Sequence, residues 1–336
     1  MFELAMSKLA EGRDLSADMM QSLIEGMLRN EIADSAIAEL LLGLRQKGES
    51  VSELVGAARG LRSHMIPIRT TRSGLLDTCG TGGDGAKTFN ISTAAAIVAA
   101  AAGAPVAKHG NRKITSASGS ADVLERLGIR IDVGREVVED CIEQIGIGFC
   151  FAPALHPAMR HVSQVRRSLG VPTLFNYLGP LCNPAGAPFQ LLGVGKPELH
   201  RKIAEALAQL PLHRGLVVRG DDGMDEVTLS SDTLVFEIHE GKLTEHRWSP
   251  ASFGMAAIDP QDLYAEGPEE SAAIIGRILD GELGGPRDIV VANAAAGLWI
   301  CGKATSLPEG VRHCTEAIDR GVAKSLLSEL AKRTHR

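Results

Sequence analysis

A glycine-rich segment at residues 80–85 is the first stretch of the chain whose composition indicates chemistry. It follows a short apolar strand and precedes an alanine-rich helix, and four of its six residues are glycine. Glycine lets a backbone turn tightly and bring its N–H groups up to a phosphate. Residues 90–93 then supply cap residues for a helix over 92–102, whose N-terminus adds unpaired N–H donors. The segment predicts a phosphate-binding loop, and a tight structural turn without a ligand stays open as the alternative.

Two other nucleotide-binding loops fit this segment less well. The spacing satisfies G-x-G-x-x-G, but a dinucleotide-binding fold also needs an acidic residue about 20 positions later to hold the ribose. The next acid after the loop comes only at Asp122, and the basic residues Lys108 and Arg112 precede it. A P-loop has lysine directly after its second glycine, whereas one extra residue precedes Lys87. The phosphate ligand is therefore predicted to be of another kind.

A second polar loop follows the next predicted strand. Residues 108–112 read Lys-His-Gly-Asn-Arg, and residues 115–120 contain four hydroxyl side chains. Two such loops after neighbouring strands could hold a ligand with several phosphate oxygens, such as 5-phosphoribosyl 1-pyrophosphate (PRPP), which carries phosphates at both ends. A solvated loop is a plausible alternative for any one of these residues but a poor one for the whole set.

An acidic turn follows the strand predicted at 215–218. Residues 219–226 read Arg-Gly-Asp-Asp-Gly-Met-Asp-Glu, and a turn of this kind is commonly solvated. Beside a pyrophosphate, however, Mg²⁺ takes one or two protein carboxylates and fills its remaining positions with water and phosphate oxygens. Asp225 and Glu226 would suffice as ligands, and Asp221 and Asp222 are the weaker candidates.

A basic helix is predicted over residues 158–169, with Gly170 after its end. Most charges on such a helix face water, but a ligand that carries a carboxylate would need a cation of this kind. The planar guanidinium of arginine binds a carboxylate through two parallel hydrogen bonds. The basic residues in and just before this helix are His156, Arg160, His161, Arg166 and Arg167. The loop at 176–184 is expected, by resemblance to a known family, to support the site without a specific role.

The motifs at 80–84, 90–93 and 108–112 resemble, in order and spacing, those of the anthranilate phosphoribosyltransferase family. The resemblance extends over nearly the whole chain, to Asn-Ala-Ala-Ala at 293–296 and beyond. It implies transfer of the 5-phosphoribosyl group from PRPP to anthranilate, giving N-(5-phosphoribosyl)anthranilate and pyrophosphate in tryptophan biosynthesis. The alternatives are a pyrimidine nucleoside phosphorylase-like enzyme, which would use free phosphate without Mg²⁺, and a non-catalytic nucleotide-binding relative.

The resemblance also implies roles for individual residues. Those expected to bind PRPP are Gly80, Gly82, Gly83, Asp84, Thr88, Asn90, Ile91, Ser92, Thr93, Lys108, His109, Gly110, Asn111, Arg112, Ser116 and Ser120. Those expected to bind anthranilate are Gly80, Asn111 and Arg166, and those expected to hold two Mg²⁺ ions per subunit are Ser92, Asp225 and Glu226. An aryl amine is already neutral near pH 7, so no catalytic base is assigned, and His109 is only a candidate.

Hydrophobic spacing predicts the elements that position these residues. Residues 1–66 predict helices alone, which begin after Ser16, at Asp34 and after Ser50. Beyond residue 74, short apolar strands alternate with helices, which favours a largely parallel sheet covered on both faces. The predicted strands are 75–77, 106–107, 149–151, 191–194, 215–218 and 288–291, with a hairpin at 233–238 and 242–247. The helices predicted between them are 92–102, 120–127, 135–146, 197–209 and 270–280.

The predicted fold is α/β, with a small all-helical N-terminal domain and a larger domain. Residues 1–70 form the helical domain, on which later helices can pack, and by resemblance it mediates a homodimer. Residues 71–336 form the PRPP- and metal-binding domain, with a mostly parallel mixed sheet flanked by helices. By resemblance this is the nucleoside phosphorylase/phosphoribosyltransferase type of fold.

Composition limits the partners. The 336 residues include 35 basic and 41 acidic side chains, well mixed along the chain, so the basic surface of a nucleic-acid-binding protein is not predicted. The apolar run at 94–107 is shorter than the roughly 20 residues that cross a bilayer, and residues 1–4 do not resemble a signal peptide. The spacing of the six cysteines indicates reduced thiols. We expect a cytoplasmic enzyme that binds neither nucleic acid nor membrane.

Overall fold

Two of the N-terminal helices begin directly after the serines that the sequence predicts as caps. The computed structural model describes residues 1–112 and 119–336. Its first helices are α1 (Phe2–Ala10), α2 (Ala17–Leu28), α3 (Asp34–Lys47) and α4 (Val51–Arg62). The Ser16 side chain caps α2, and Ser50 and Glu53 cap α4 reciprocally. Such caps satisfy backbone N–H groups that have no partner within the helix, and the predicted helical N-terminal region is confirmed.

The described residues form a mixed seven-stranded sheet, with the order β3-β2-β1-β4-β5-β6-β7. Its strands are β1 (Leu76–Gly80), β2 (Val106–Gly110), β3 (Ile147–Phe151), β4 (Phe189–Gly193), β5 (Arg214–Gly220), β6 (Thr233–His239) and β7 (Lys242–Trp248). Strands β1 to β5 run parallel, and β6 and β7 form an antiparallel hairpin beside β5. The predicted sheet and hairpin are confirmed. The carboxyl ends of the parallel strands share one edge, which brings the loops after β1, β2 and β5 together.

The remaining helices cover this sheet. In chain order they are α5 (Ile91–Ala101), α6 (Ser120–Arg126), α7 (Arg135–Ile145), α8 (Ala152–Leu155), α9 (Met159–Leu169), α10 (Phe175–Leu178), α11 (Pro197–Leu207), α12 (Pro268–Leu279), α13 (Gly285–Ile300), α14 (Leu307–Asp319) and α15 (Val322–Thr334). Short 3₁₀ turns lie at Gly179–Leu181, Pro250–Phe253 and Pro260–Leu263. Helices α14 and α15 were not predicted from the sequence.

The strand predicted at 288–291 is wrong, because these residues lie within helix α13. Ile289, Val290 and Val291 are β-branched and buried, and a short apolar run cannot by itself distinguish a buried strand from a buried helix. Helix α13 is buried along most of its length, so it shows no polar face that would reveal a helical period. Pro286 near its first turn is the local signal of a helix start.

Alternate residues of the strands face two different hydrophobic cores. Leu191 and Leu216 pack in the core that contains α5 and α13. Their neighbours Leu192 and Val217 pack with helices α1 to α4 and α9 to α11. Successive side chains of a strand point to opposite faces, so the N-terminal helices lie on one side of the sheet, where they pack on α9, α10 and α11. The domain boundary expected between residues 70 and 71 stays a prediction.

No helix among the described residues combines the length and the apolar character needed to cross a membrane.

Candidate active site

Two adjoining cavities lie among the described residues, where β1 and β2 end. The first, here called the glycine-loop cavity, has a volume of about 740 Å³ and contains the loop after β1 and the acid pair Asp225 and Glu226. The second, the arginine cavity, has a volume of about 560 Å³ and contains Arg166. Gly80 and Asn111 are among the residues that line both. Ligands in the two cavities would therefore meet at the ends of β1 and β2.

The structure brings most of the predicted PRPP and metal residues to the glycine-loop cavity. Those lining it are Gly80, Gly82, Gly83, Asp84, Thr88, Asn90, Ile91, Ser92, Lys108, His109, Gly110, Asn111, Arg112, Ser120, Asp225 and Glu226. Thr93 is not among the lining residues, since its side chain is fully buried and its hydroxyl donates to Asn90 Oδ1. Ser116 lies outside the described residues.

The glycine loop packs directly on the acidic turn after β5. The N–H of Gly82 donates to Asp225 Oδ2 at 2.8 Å, and Gly82 has a φ of 64°, which is in the left-handed region that favours glycine. A Cβ atom on Gly80 would lie 2.6 Å from Asp225 Oδ2. Glycine at this position is therefore needed for the close approach of strand β1 to the carboxylate.

Two glycines that the sequence did not single out create space for this packing. A Cβ atom on Gly193, the last residue of β4, would lie 1.5 Å from the carbonyl oxygen of Asp225. A Cβ atom on Gly195 would lie 2.7 Å from the backbone nitrogen of Asp84. Their importance depends on a contact with residues distant in the chain, and a single glycine gives no signal of such a contact.

The acid pair has unusual electrostatics. Burial, and next the charge of Asp84, raises the pKa of Asp225 to about 7. Burial, and next the charge of Asp225, raises the pKa of Glu226 well above its usual value. The Lys108 ammonium and the backbone N–H of Ser92 act on the pKa of Glu226 in the opposite direction. A further cation at this place would favour the ionised form of both carboxyl groups.

The weaker metal candidates take part in other contacts. Asp221 forms an ion pair with Arg247. Asp222 Oδ2 accepts hydrogen bonds from the hydroxyls of Thr228 and Ser230, both at 2.5 Å. These two carboxylates therefore stabilise the turn after β5, and neither lines the glycine-loop cavity.

Lys108 is a buried cation at the floor of the glycine-loop cavity. Its Nζ donates to the carbonyl oxygen of Thr78 at 2.5 Å and to Ser92 Oγ at 3.3 Å. Burial lowers the pKa of Lys108, and the charge of Asp77 is the largest opposing effect. An ammonium has three donors, so one N–H beyond these two bonds is left for a ligand.

Arg112 and Ser120 border the same cavity from the second loop. The Arg112 guanidinium binds both carboxylate oxygens of Glu125, at 2.6 and 2.8 Å, and also lies 3.3 Å from Asp122. Ser120 Oγ donates to the carbonyl oxygen of Asn111 at 3.4 Å. A phosphate that binds Arg112 would therefore compete with Glu125 for the same guanidinium.

Arg166, to which the resemblance implies an anthranilate-binding role, lines the arginine cavity. Its Nη2 donates to Asn176 Oδ1 at 3.3 Å, and its guanidinium lies 5.4 Å from the centre of the Phe175 ring. Burial lowers the pKa of this guanidinium, although a group of such high ordinary pKa stays charged. Arg160 and Arg167, both exposed, lie at the rim of the same cavity.

Two buried histidines complete the arginine cavity, and the sequence assigned no site role to the second. The ring centres of His109 and His156 lie 5.2 Å apart. Burial, mainly, lowers the pKa of His109 to about 4 and that of His156 to about 3. His109 Nδ1 lies 3.1 Å from the carbonyl oxygen of Gly179, which can only accept, so Nδ1 carries the proton. Nε2 of His109 is then a free acceptor among the described residues.

Comparison with known proteins assigns the chain to a family. A family model described as "Glycosyl transferase family, a/b domain" matches residues 72–324, and one described as "Glycosyl transferase family, helical bundle domain" matches residues 5–65. An anthranilate phosphoribosyltransferase of Rhodopirellula baltica is 51% identical over 98% of this chain and 97% of its own length. The chain belongs to the anthranilate phosphoribosyltransferase family.

Solved structures of anthranilate phosphoribosyltransferases have the same fold. That of Thermus thermophilus has a TM-score of 0.92 and 42% identity, over 99% of both chains. That of Saccharomyces cerevisiae, in complex with PRPP and Mg, has a TM-score of 0.90 and 28% identity, over 99% of this chain and 98% of its own. The yeast protein has also been solved in complex with 4-fluoroanthranilate, with a TM-score of 0.87.

One further wall of the glycine-loop cavity comes from a segment that the resemblance to anthranilate phosphoribosyltransferases did not indicate. Tyr264 and Glu266 line the cavity, although they lie far beyond the glycine loop in the chain. The backbone of Leu263 and Ala265 bonds to residues 87 and 89 at 2.9 to 3.0 Å. This backbone pairing holds the segment beside the glycine loop, and no sequence motif marks it.

Proposed function

We propose that this protein transfers the 5-phosphoribosyl group of PRPP to the amino group of anthranilate and releases pyrophosphate, as a step of tryptophan biosynthesis. The observation that carries the proposal is the meeting of two chemically different cavities at Gly80 and Asn111. One cavity offers backbone N–H groups, a buried lysine and carboxylates, which suit a metal-bound pyrophosphate. The other offers an arginine, apolar side chains and neutral histidines, which suit an aromatic acid.

The glycine-loop cavity is the proposed PRPP site. The N–H groups of the glycine loop and of the first turn of α5 are donors for phosphate oxygens. Lys108 adds a positive charge and one remaining N–H donor at the floor. The PRPP-binding roles implied by the resemblance, including those of Thr93 and of Ser116, stay proposals of this kind.

Magnesium is the proposed metal, and the residues present fit it. Asp225 and Glu226 are hard oxygen donors whose pKa values are raised by burial and by the neighbouring carboxylates, and a bound cation would oppose both effects. Residues 1–112 and 119–336 contain no group of three or more His, Cys, Asp or Glu that could hold a metal ion, so a metal here would depend on ligands that the substrate and water supply. Mg²⁺ here would complete its coordination with the Ser92 hydroxyl, water and phosphate oxygens. Two ions per subunit are proposed.

The arginine cavity is the proposed anthranilate site. The Arg166 guanidinium is oriented by Asn176 and Phe175, and such a cation binds a carboxylate through two hydrogen bonds. Gly80 and Asn111 would contact the acceptor where the two cavities join. The amine of the acceptor then lies towards the ribose.

The reaction replaces the bond between C1 of the ribose and a pyrophosphate oxygen with a bond between C1 and the amine nitrogen. When bound, Mg²⁺ supplies positive charge to the leaving pyrophosphate. The loop N–H groups and Lys108 stabilise the same negative charge as C1 acquires oxocarbenium character. The aryl amine is neutral and needs no strong base. His109, neutral because its pKa is about 4, has Nε2 available to accept the proton that the amine loses.

A homodimer through the helical region is also proposed. Leu4 on α1 and Leu42 on α3 are 53% and 44% exposed, and these two helices pack on each other. A second copy of the chain would remove these apolar side chains from water.

A cytoplasmic location is proposed as well, because the six cysteines, all in the described ranges, are free, and free thiols are typical of a reducing compartment.

One assay tests the function directly. Anthranilate fluoresces, and we expect its fluorescence to fall when enzyme, PRPP and Mg²⁺ are all present, but not when any one is omitted. Phosphorolysis of uridine or thymidine with inorganic phosphate is measured in parallel. Phosphorolysis without loss of anthranilate would overturn the proposal in favour of a nucleoside phosphorylase, and binding of PRPP without either reaction would favour a non-catalytic relative.

A further inference from the structure

Asn293, on the buried helix α13, binds the backbone of the residue that follows the acid pair. Its Oδ1 accepts the N–H of Val227 at 3.0 Å, and its Nδ2 donates to the carbonyl oxygen of Val227 at 2.8 Å. The second hydrogen of Nδ2 is directed to the carbonyl oxygen of Ile289, one helical turn earlier, at 2.9 Å. The side chain is fully buried, and both of its amide hydrogens are used.

This contact resembles the pairing of two peptide groups in a sheet. Both polar backbone groups of Val227 are satisfied by one side chain, which sets the direction of the chain as well as its position. The bond to Ile289 fixes the Asn293 side chain on its own helix. The backbone directly after Glu226 is therefore tied to the most buried helix of the larger domain.

The acid pair is thereby held from two sides. On the cavity side, Asp225 Oδ2 accepts the N–H of Gly82 at 2.8 Å. On the other side, Asn293 holds Val227, the next residue after Glu226. A shift of Val227 by a fraction of an ångström would move the Glu226 carboxylate relative to Ser92, and such shifts change the affinity of a metal site strongly.

We propose that Asn293 is a positioning residue, which holds Asp225 and Glu226 in the geometry that receives metal-bound pyrophosphate. The inference rests on the proposed function of that pair and assigns a role to a residue that touches neither metal nor substrate. Its amide is required because the contact needs one acceptor and two donors at once. Aspartate, with nearly the same shape, would present acceptors to two carbonyl oxygens.

The test compares Asn293→Asp and Asn293→Ala with Val227→Ala. Val227→Ala removes buried side-chain volume at the same place but keeps both backbone bonds to Asn293, so it controls for a general loss of stability. Titration calorimetry measures binding of PRPP in Mg²⁺ buffer without anthranilate, which reports on the site independently of turnover. Steady-state kinetics give the half-saturating Mg²⁺ concentration and the KM for anthranilate, and thermal unfolding gives Tm.

We expect both Asn293 variants to bind PRPP with Mg²⁺ about 10- to 100-fold more weakly than the wild type. The half-saturating Mg²⁺ concentration rises in parallel, and the KM for anthranilate stays nearly unchanged. Val227→Ala lowers Tm without this shift. If the Asn293 variants lower Tm only, or if Val227→Ala shifts Mg²⁺ dependence equally, Asn293 is merely structural.

A parallel variant separates this inference from the proposed function. Glu226→Gln should by itself raise the half-saturating Mg²⁺ concentration. If Glu226→Gln changes nothing, the metal assignment fails and the role of Asn293 falls with it. If Glu226→Gln is defective and the Asn293 variants are not, only the positioning role is wrong.

Discussion

Three carboxyl groups line the glycine-loop cavity, those of Asp84, Asp225 and Glu226. Burial raises the pKa of the last two. Buried carboxylates without a matching cation destabilise a folded protein, because they lose solvation and repel one another. At the scale of single residues, this arrangement indicates a function that requires a positive ligand. The same residues would be replaced by neutral ones if stability alone mattered.

The first prediction follows from this unfavourable electrostatics. The double variant Asp225→Asn with Glu226→Gln should lose at least about 100-fold in turnover, since charge at the leaving group is no longer stabilised. Its Tm in the absence of ligand should equal or exceed that of the wild type, because two buried carboxyl groups that repel each other when ionised are removed. Unchanged activity of the double variant, or of the wild type in excess EDTA, would contradict the metal site.

The second prediction concerns the acceptor. Arg166→Ala removes a charge-assisted contact worth roughly 1.5–3 kcal/mol, which is about 10- to 150-fold in affinity. We expect a corresponding rise in the KM for anthranilate and little change in that for PRPP. Arg167→Ala is the matched control, because Arg167 lies next in the same helix but is exposed at the rim. Equal damage by both variants, or a defect specific to PRPP, would refute the assignment of Arg166.

At the scale of elements, the parallel strands bring short loops together with very little space between them. The end of β4 passes so close to Asp225 that residue 193 has no room for a side chain. The loop after β1 packs on residue 195 in the same way. The site is therefore formed by the contact of three strand ends rather than by any one loop.

The third prediction tests this contact. Gly193→Ala places a methyl group 1.5 Å from the carbonyl oxygen of Asp225, so the acidic turn must move. We expect PRPP binding in Mg²⁺ buffer to be lost by calorimetry while the far-UV circular dichroism spectrum is retained. Gly276→Ala on α12 is the control, since that position has open space and alanine favours a helix by about 1 kcal/mol over glycine. Normal PRPP binding by Gly193→Ala would show that strand packing does not set the site.

At the scale of the whole molecule, buried titrating groups link the active site to the stability of the fold. His109 and His156 favour their neutral forms because of burial, with pKa values of about 4 and about 3. The unfolded chain binds their protons near the ordinary histidine pKa of about 6.5. Stability from this pair is thus present above pH 6.5 and is lost as pH falls towards 4.

The fourth prediction uses that difference. As pH falls from about 6.5 to about 4, each histidine should reduce the free energy of unfolding by about 1.4 kcal/mol per pH unit. Asp225, whose pKa is raised to about 7, acts in the opposite direction over the same range. The measurement is therefore the difference in urea-unfolding free energy between the wild type and His109→Gln with His156→Gln. A difference that does not change with pH would contradict burial of neutral histidines.

The fifth prediction concerns assembly. Leu4→Glu with Leu42→Glu places charges at two exposed apolar positions of α1 and α3, and we expect the proposed dimer to dissociate into monomers. Leu283→Glu is the control, because Leu283 is 81% exposed and lies outside these helices. Light scattering after size exclusion measures the mass. A dimer that survives the double variant but not Leu283→Glu would place the interface elsewhere.

Some features of the molecule could be predicted from the sequence because their causes are local. Capping serines mark the starts of α2 and α4, and alternation of apolar runs with helices indicates a parallel sheet. The strand predicted at 288–291 was wrong because a helix that is buried on all sides shows no amphipathic period. Positions such as Gly193, His156 and Tyr264 gave no local signal, because their roles depend on neighbours far away in the chain.

The sequence by itself determined the chemistry of this protein: donors in two loops, two paired acids and an arginine-bearing helix, each readable from residues close together in the chain. Only the tertiary structure decided how these groups meet. The strand order places β4 between β1 and β5, so the acids after β5 reach the glycine loop across the end of β4, and the glycine-loop and arginine cavities meet at Gly80 and Asn111. Residue types act over a few positions of sequence, whereas the meeting of these loops depends on the register and packing of the entire sheet.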